Sequence, residues 1–281
     1  MSDKTEYKIV LSDLDGTLLI RGKDLAPEVD VQAIKKIREK GVKFCIATGR
    51  TIQSTRYILK ELDSYNKENE YSILFNGCTI IENKDNKILY FKGIEYDIAN
   101  KLFETGKKYN VMLLVYTIDA CYVWKSYENE VKRQEKLHEI LTFMTDLNID
   151  FIKEKNIPIT KIIFGSEDHK YLLEIKNELD KIFNKEISIS FSSDVYLEIN
   201  SNNVSKGIAL EWLSNYLKIN ISETIAIGDN NNDLSMIEKA GLGICVQNSS
   251  DNIKNKAKYV TEKKCEEGAV KEVLDKFILN E

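Results

Sequence analysis

Short apolar runs, each followed by a polar cluster and then by a stretch with apolar residues three and four apart, set the rhythm of the first third of this 281-residue chain. Ile9-Val10-Leu11, Phe44 to Ala47 and Ile73-Leu74-Phe75 read as buried strands, and 28–40 and 52–62 as helices between them. Strands alternating with helices predict a β-α-β-α-β order, hence a parallel sheet with right-handed crossovers. The rhythm returns near the other end, with a helix over 206–217, a strand over 224–227, a helix over 234–240 and a strand over 242–246. In the first of these helices Ala209, Trp212, Leu213, Tyr216 and Leu217 fall at the spacing of one apolar face.

Between the two segments the texture changes. The runs 112–117 and 120–125 are separated only by Ile118 and Asp119, which predicts a hairpin. Its alternation leaves only half of Tyr116, Trp124, Lys125 and the later Lys161 on any one face. Helices are expected over 131–145 and 171–183, the second with Leu172, Ile175, Leu179 and Ile182 on one face. The pattern predicts a doubly wound α/β core domain from 1–82 and 190–281, with an α+β domain inserted over 83–189. At about 150 residues per domain, the length also suggests two.

Composition narrows the function classes. A chain with 43% hydrophobic and 30% charged residues is an ordinary globular protein, and a net charge of −5 supplies no basic field for nucleic acid or anionic membranes. The longest apolar runs fall short of the roughly 20 residues that cross a bilayer. Asp3 and Glu6 near the N-terminus do not suit a signal peptide, so a cytoplasmic protein with a small-molecule partner is expected. Cys45, Cys78, Cys121, Cys245 and Cys265 stand far apart, with no Cys-x-x-Cys and only His138 and His169 for company; buried thiols are expected, not zinc or disulfides.

Chemistry concentrates at the strand ends. Asp13 to Thr17, Thr48-Gly49-Arg50, Asn76-Gly77 and Gly228 to Asp233 each follow a strand. Any one could be an ordinary turn, but in a parallel sheet all four would meet in the crevice outside the carboxyl ends of the strands. Asp13 and Asp15, two residues apart behind a buried strand, are costly unless a metal ion or a reaction uses them. A calcium-loop reading from Asp229 fails, because Leu234 stands where glycine is needed and Ala240 where a bidentate carboxylate is needed. If Asp13, Asp15, Asp229 and Asp233 converge, cations must compensate them. Hard oxygen ligands select Mg²⁺, and Lys206 would add a fixed positive charge.

These motifs, Asp-Leu-Asp-Gly-Thr-Leu, Ala-Thr-Gly-Arg, Asn-Gly, Ser-Lys-Gly and Gly-Asp-x-x-Asn-Asp, resemble in order and separation those of the haloacid dehalogenase superfamily, specifically its Cof-type phosphatases with a large α/β cap. The resemblance implies a Rossmann-like core and an Mg²⁺-dependent phosphatase acting on a small phosphorylated metabolite. It assigns Asp13 as the nucleophile that becomes an aspartyl-phosphate, and Asp15 as the acid that protonates the leaving oxygen and then activates water. It further implies metal ligation by Asp13, the Asp15 carbonyl and Asp229, phosphate contacts from Thr48, Gly49, Lys206 and Asn232, and an orienting role for Asp233. In the tail, Glu266-Glu267-Gly268-Ala269-Val270 resembles the family's ending, with Cys265 where asparagine is common. Two other readings share the motifs: a phosphohexomutase using the same aspartyl-phosphate chemistry, and a non-catalytic sensor of a phosphorylated ligand.

Overall fold

The computed structural model describes residues 6–20, 22–136, 139–145, 148–192 and 195–280; His138 lies outside them. In chain order the first segment runs β1 (Ile9–Ser12), α1 (Glu28–Glu39), β2 (Lys43–Ala47), α2 (Ile52–Glu61), β3 (Tyr71–Leu74), β4 (Thr79–Glu82) and β5 (Lys87–Phe91). The middle holds α3 (Tyr96–Tyr109), β6 (Met112–Thr117), β7 (Cys121–Lys125), α4 (Glu128–Lys136), β8 (Leu141–Phe143), α5 (Asp150–Glu154), β9 (Ile159–Gly165), α6 (His169–Phe183), β10 (Ile187–Ser192) and β11 (Tyr196–Ser201). The last segment is α7 (Lys206–Tyr216), β12 (Thr224–Gly228), α8 (Leu234–Lys239), β13 (Leu242–Cys245), α9 (Asp251–Lys254), β14 (Tyr259–Val260) and α10 (Ala269–Leu274).

Met1–Arg50, Thr55–Tyr90 and Ser205–Glu281 form one compact unit, and Thr51–Ser54 with Phe91–Val204 the other. The insertion therefore begins and ends later than 83 and 189. The expected boundaries missed that β4 turns back antiparallel on β3, with β5 beyond it in the first sheet, while β10 and β11 complete the second.

The first unit is built on an eight-stranded sheet in the order β14-β13-β12-β1-β2-β3-β4-β5. From β14 to β3 the neighbours run parallel, as the sequence rhythm predicts. Sheets covered on both faces need continuous apolar strands, and β1 and β12 are buried along their whole lengths. The chain winds outward from β1 in one direction and resumes at β12 on the other side, so the switch of strand order lies between β1 and β12. That is where an open α/β sheet offers a binding crevice. On α7 the buried residues are Lys206, Gly207, Ala209, Leu210, Leu213 and Ser214. Tyr216 is instead mostly outside, stacked on Trp212.

In the second unit six strands run β10-β11-β9-β6-β7-β8. β6 and β7 form the predicted hairpin. One face of this sheet carries a core that joins Leu113, Val115, Ile162, Phe164, Leu197 and Ile199 to Leu102 and Phe103 of α3 and Leu172, Ile175 and Leu179 of α6. Ile182 does not share that face: it is 52% exposed and Phe183 is buried in its place. Of the helix expected over 131–145, the described part lies within Glu128–Lys136, and Leu141–Phe143 pairs with β7 as a strand. Trp124 packs edge-on against Phe103, whereas Lys161 lies over the Tyr116 ring and pairs with Glu198, so alternation divides these residues between faces. All five cysteines are buried, and none is in a disulfide.

One buried carboxylate in the first unit gives a test of stability. Asp30 of α1 is fully buried; its Oδ1 accepts from the Lys271 amide in the first turn of α10 at 2.6 Å, and its Oδ2 has no partner. Burial pushes this carboxyl up from 3.8 to about 7. The folded chain then holds a proton that the unfolded chain has released, so this group's contribution falls as pH rises from about 4 to about 7 and is constant above. Asp30→Asn keeps an oxygen for the Lys271 amide and removes that penalty. Urea unfolding is expected to find the variant more stable than the parent by a few kcal/mol, roughly, at pH 8 and to see the difference vanish near pH 4.

Candidate active site

Register brings the first two motifs together. Ser12 stands opposite Ile227, and the Asp13 amide continues the ladder to the Ile227 carbonyl at 2.9 Å. Asp13 and Asp229 therefore leave adjacent strands side by side. The chain then turns sharply over buried Leu14, whose carbonyl accepts from the amides of Thr17, Leu18 and Leu19. Gly16 has φ +84°, and a Cβ there would lie 2.7 Å from Asp229 Oδ2; only glycine brings this turn against that carboxylate. Thr17 Oγ1 donates to Asp229 Oδ1 at 3.0 Å.

Lys206 enters from the first turn of α7, which Ser205 caps by accepting from the Ile208 amide. Its side chain is fully buried, and Nζ lies 2.5 Å from Asp13 Oδ1 and 2.6 Å from Asp233 Oδ1. A lysine so buried is tolerable only when paired. Asp233 spends its other oxygen on the Asp229 and Asn230 amides at 3.0 Å, which folds the Gly228 to Asp233 loop back on itself. Burial alone would lower the Lys206 pKa, but the two carboxylates hold it above its ordinary value. Burial also drives the Asp13 carboxyl well up, aided by Asp233 and Asp229 and opposed by Lys206.

The cluster is short of positive charge. Asp13, Asp229 and Asp233 each offer a carboxylate oxygen, these oxygens lying within 4.8 Å of one another, and with all three ionised one ammonium would leave two negative charges in excess. Hard oxygen donors with that excess fit a divalent cation such as Mg²⁺. With Asp233 occupied by Lys206 and two amides, Asp13 and Asp229 are the carboxylates suited to hold it.

The neighbouring strands add donors. Thr48, buried at the end of β2, passes its carbonyl to the Asn76 amide at 2.9 Å, and Asn76 itself sits in a left-handed conformation. Gly77 (φ +99°) allows this loop to press on the start of α7, because a Cβ there would lie 2.3 Å from the Ser205 carbonyl oxygen. Asn232 Nδ2 donates to Asn76 Oδ1 at 3.1 Å, and a Cβ on Gly49 would lie 3.0 Å from that same oxygen. Hydrogen bonds thus link Thr48, Asn76 and Asn232 into one rim, with Gly49 close against Asn76, in the same unit as the carboxylates.

Asp15 is separated from that buried group, its side chain 60% exposed. Both its oxygens accept from Arg50, Oδ2 from Nε at 2.9 Å and Oδ1 from Nη2 at 2.5 Å. Asp13 and Asp15 therefore have opposite surroundings two residues apart.

Sequence reasoning missed three participants. Asp24 and Tyr57 complete the surroundings of Arg50, and Asn248 donates to the Gly16 carbonyl at 2.7 Å while accepting from the Cys265 amide at 2.9 Å. The tail is thus tied to the Asp13 to Thr17 turn through the Cys265 backbone, which any residue supplies. Asn248 stands shortly after the end of β13, but its partners lie far away in sequence, so the strand end alone gives no signal of that contact.

A model of the haloacid dehalogenase-like hydrolase family matches residues 10–274. The chain is similar to the 5-amino-6-(5-phospho-D-ribitylamino)uracil phosphatase YcsE of Bacillus subtilis, with 28% identity over 271 residues and 96% of each chain covered. Among solved structures it is similar to a haloacid dehalogenase-like hydrolase from Bacteroides thetaiotaomicron, at TM-score 0.86 and 25% identity over 96% of this chain and 99% of that one. It is also similar to TM0651 of Thermotoga maritima, at TM-score 0.80 and 26% identity over 96% and 97%.

Proposed function

From its place among the haloacid dehalogenase-like hydrolases, the family to which the chain belongs, we propose that it is an Mg²⁺-dependent phosphatase that frees a small metabolite from its phosphate through an aspartyl-phosphate on Asp13. The observation that carries this reading is the fully buried Lys206 held between Asp13 and Asp233 at the carboxyl ends of β1 and β12. A carboxylate placed there is a fixed nucleophile.

Asp13 attacks phosphorus as the bond to the leaving oxygen breaks, and Asp15 gives that oxygen its proton. Water then attacks the aspartyl-phosphate, Asp15 takes the proton back, and Asp13 and inorganic phosphate are restored. Lys206, the Thr48 hydroxyl, the Gly49 amide and the Asn232 side chain donate to the phosphate oxygens, over which charge spreads in the transition state. Asp13, Asp229 and the Asp15 carbonyl would hold Mg²⁺, which supplies charge against those same oxygens; Asp233 orients Lys206.

The relative's substrate, as its name gives it, carries phosphate on a ribityl chain, so phosphorylated polyols head the panel, followed by sugar phosphates and nucleotides. Phosphate release with Mg²⁺ is expected from at least one of these small esters, lost with EDTA and restored by added Mg²⁺. Release from none, or release indifferent to EDTA, overturns the reading.

A further inference from the structure

The Arg50 side chain is only 10% exposed and is surrounded by acceptors of its own unit. Beyond the fork on Asp15, Nη2 also reaches Asp24 Oδ1 at 2.8 Å, and Nη1 donates to the Tyr57 hydroxyl at 2.7 Å. That hydroxyl in turn donates to the same Asp24 oxygen at 3.1 Å. The Arg50 amide is fixed on Thr48 Oγ1 at 3.2 Å, so the guanidinium swings from a tethered base.

We propose that Arg50 is a positioning residue for Asp15, and that Asp24 with Tyr57 forms a second seat that takes the guanidinium when Asp15 turns to the reacting oxygen. The inference rests on the proton-transfer role given to Asp15 above. In the structure both Asp15 oxygens accept from the fork, which fixes the plane of the carboxyl group, so turning that group toward a reacting oxygen releases at least one of those bonds. The second seat is already assembled: Nη2 is shared between Asp15 and Asp24, and the Tyr57–Asp24 hydrogen bond does not involve Asp15. Space for the turn exists as well, because Asp15, Asp24 and Asp229 line one cavity of about 310 Å³. A salt bridge serving only stability would need neither the shared donor nor the tyrosine relay.

The test compares two esters by kcat/KM, which reports transfer of the phosphoryl group to Asp13. p-Nitrophenyl phosphate leaves as a stable anion and needs little protonation; the best alkyl phosphate of the panel needs a proton from Asp15. In Asp24→Asn, the second seat loses the negative charge that draws the guanidinium to it, and kcat/KM for the alkyl ester is expected to fall about tenfold more than for p-nitrophenyl phosphate, part of what a general acid contributes. Tyr57→Phe should move the ratio in the same direction. In an Arg50→Ala background, the further change Asp24→Asn should leave the ratio unaltered, because there is no guanidinium left to seat. An unchanged ratio in Asp24→Asn, or an equal effect with and without Arg50, overturns the proposal. Asp15→Asn tests the underlying role separately: if the ratio in that variant stays at the wild-type value, Asp15 is not the acid and the proposal falls with it.

Discussion

Asp13→Asn is expected to lower kcat by at least about 10³-fold, the scale on which loss of a nucleophile is felt. The amide has no attacking oxygen of comparable strength and cannot carry the phosphoryl group. It does keep the size of the side chain and a carbonyl oxygen toward Lys206, whose second partner Asp233 is untouched. The variant should therefore stay folded, which separates chemistry from collapse. Mass spectrometry of acid-quenched reactions should find a phosphoryl group on the wild type and none on the variant. Activity within tenfold of wild type would remove Asp13 from the nucleophile's role.

Lys206→Met acts on stability as well. Methionine fills similar space without charge, and leaves Asp13 and Asp233 buried with no cation between them. Breaking a buried ion pair by removing one partner costs about 3–5 kcal/mol, and loss of a phosphate donor should cost a further 10²-fold or so in kcat. The pH dependence follows from the charges. With the ammonium gone, burial holds the Asp13 carboxyl protonated to still higher pH than the unfolded chain does, so the variant's deficit shrinks as pH falls and grows as it rises. Denaturant unfolding at pH 5 and pH 8 measures the difference, and Mg²⁺ should recover part of the loss at pH 8 by supplying the missing charge. A variant as stable as wild type at pH 8 would show that the ion pairs hold nothing together.

What the sequence conveyed and what it withheld divide along a physical line. Asp13, Thr48, Asn76 and Asp229 were legible because each sits where a strand ends, and strand ends are visible as an apolar run meeting glycine, threonine or aspartate. Parallel pairing then makes them neighbours with no further information. Lys206 could be named as a charge available at the start of a helix, but only the resemblance set it apart from the other lysines. Asp24, Tyr57 and Asn248 were hidden because their partners lie across tertiary space: Asp24 sits in an exposed loop, and its value depends on where Arg50 reaches. The strand Leu141–Phe143 was absorbed into a helix because the charged stretch before it has helical spacing; the apolar run from Ile140 to Met144 was the available warning. The domain edges failed for a related reason. A strand that turns back on its own sheet and one that starts another carry the same alternation.

The strand order has a consequence for how the chain acquires its shape. β1 lies in the interior of the eight-stranded sheet, yet its neighbour β12 is encoded after the whole of the second unit. A nascent chain that has emerged only through Val204 carries β1 as a bare apolar edge, and Asp13 without Lys206, Asp229 or Asp233. Pairings at such long sequence separation form late and leave sticky edges exposed while they wait. The carboxylate cluster around Lys206 is thus among the last parts to assemble during synthesis, and the interval before β12 arrives is when a chaperone has most to protect.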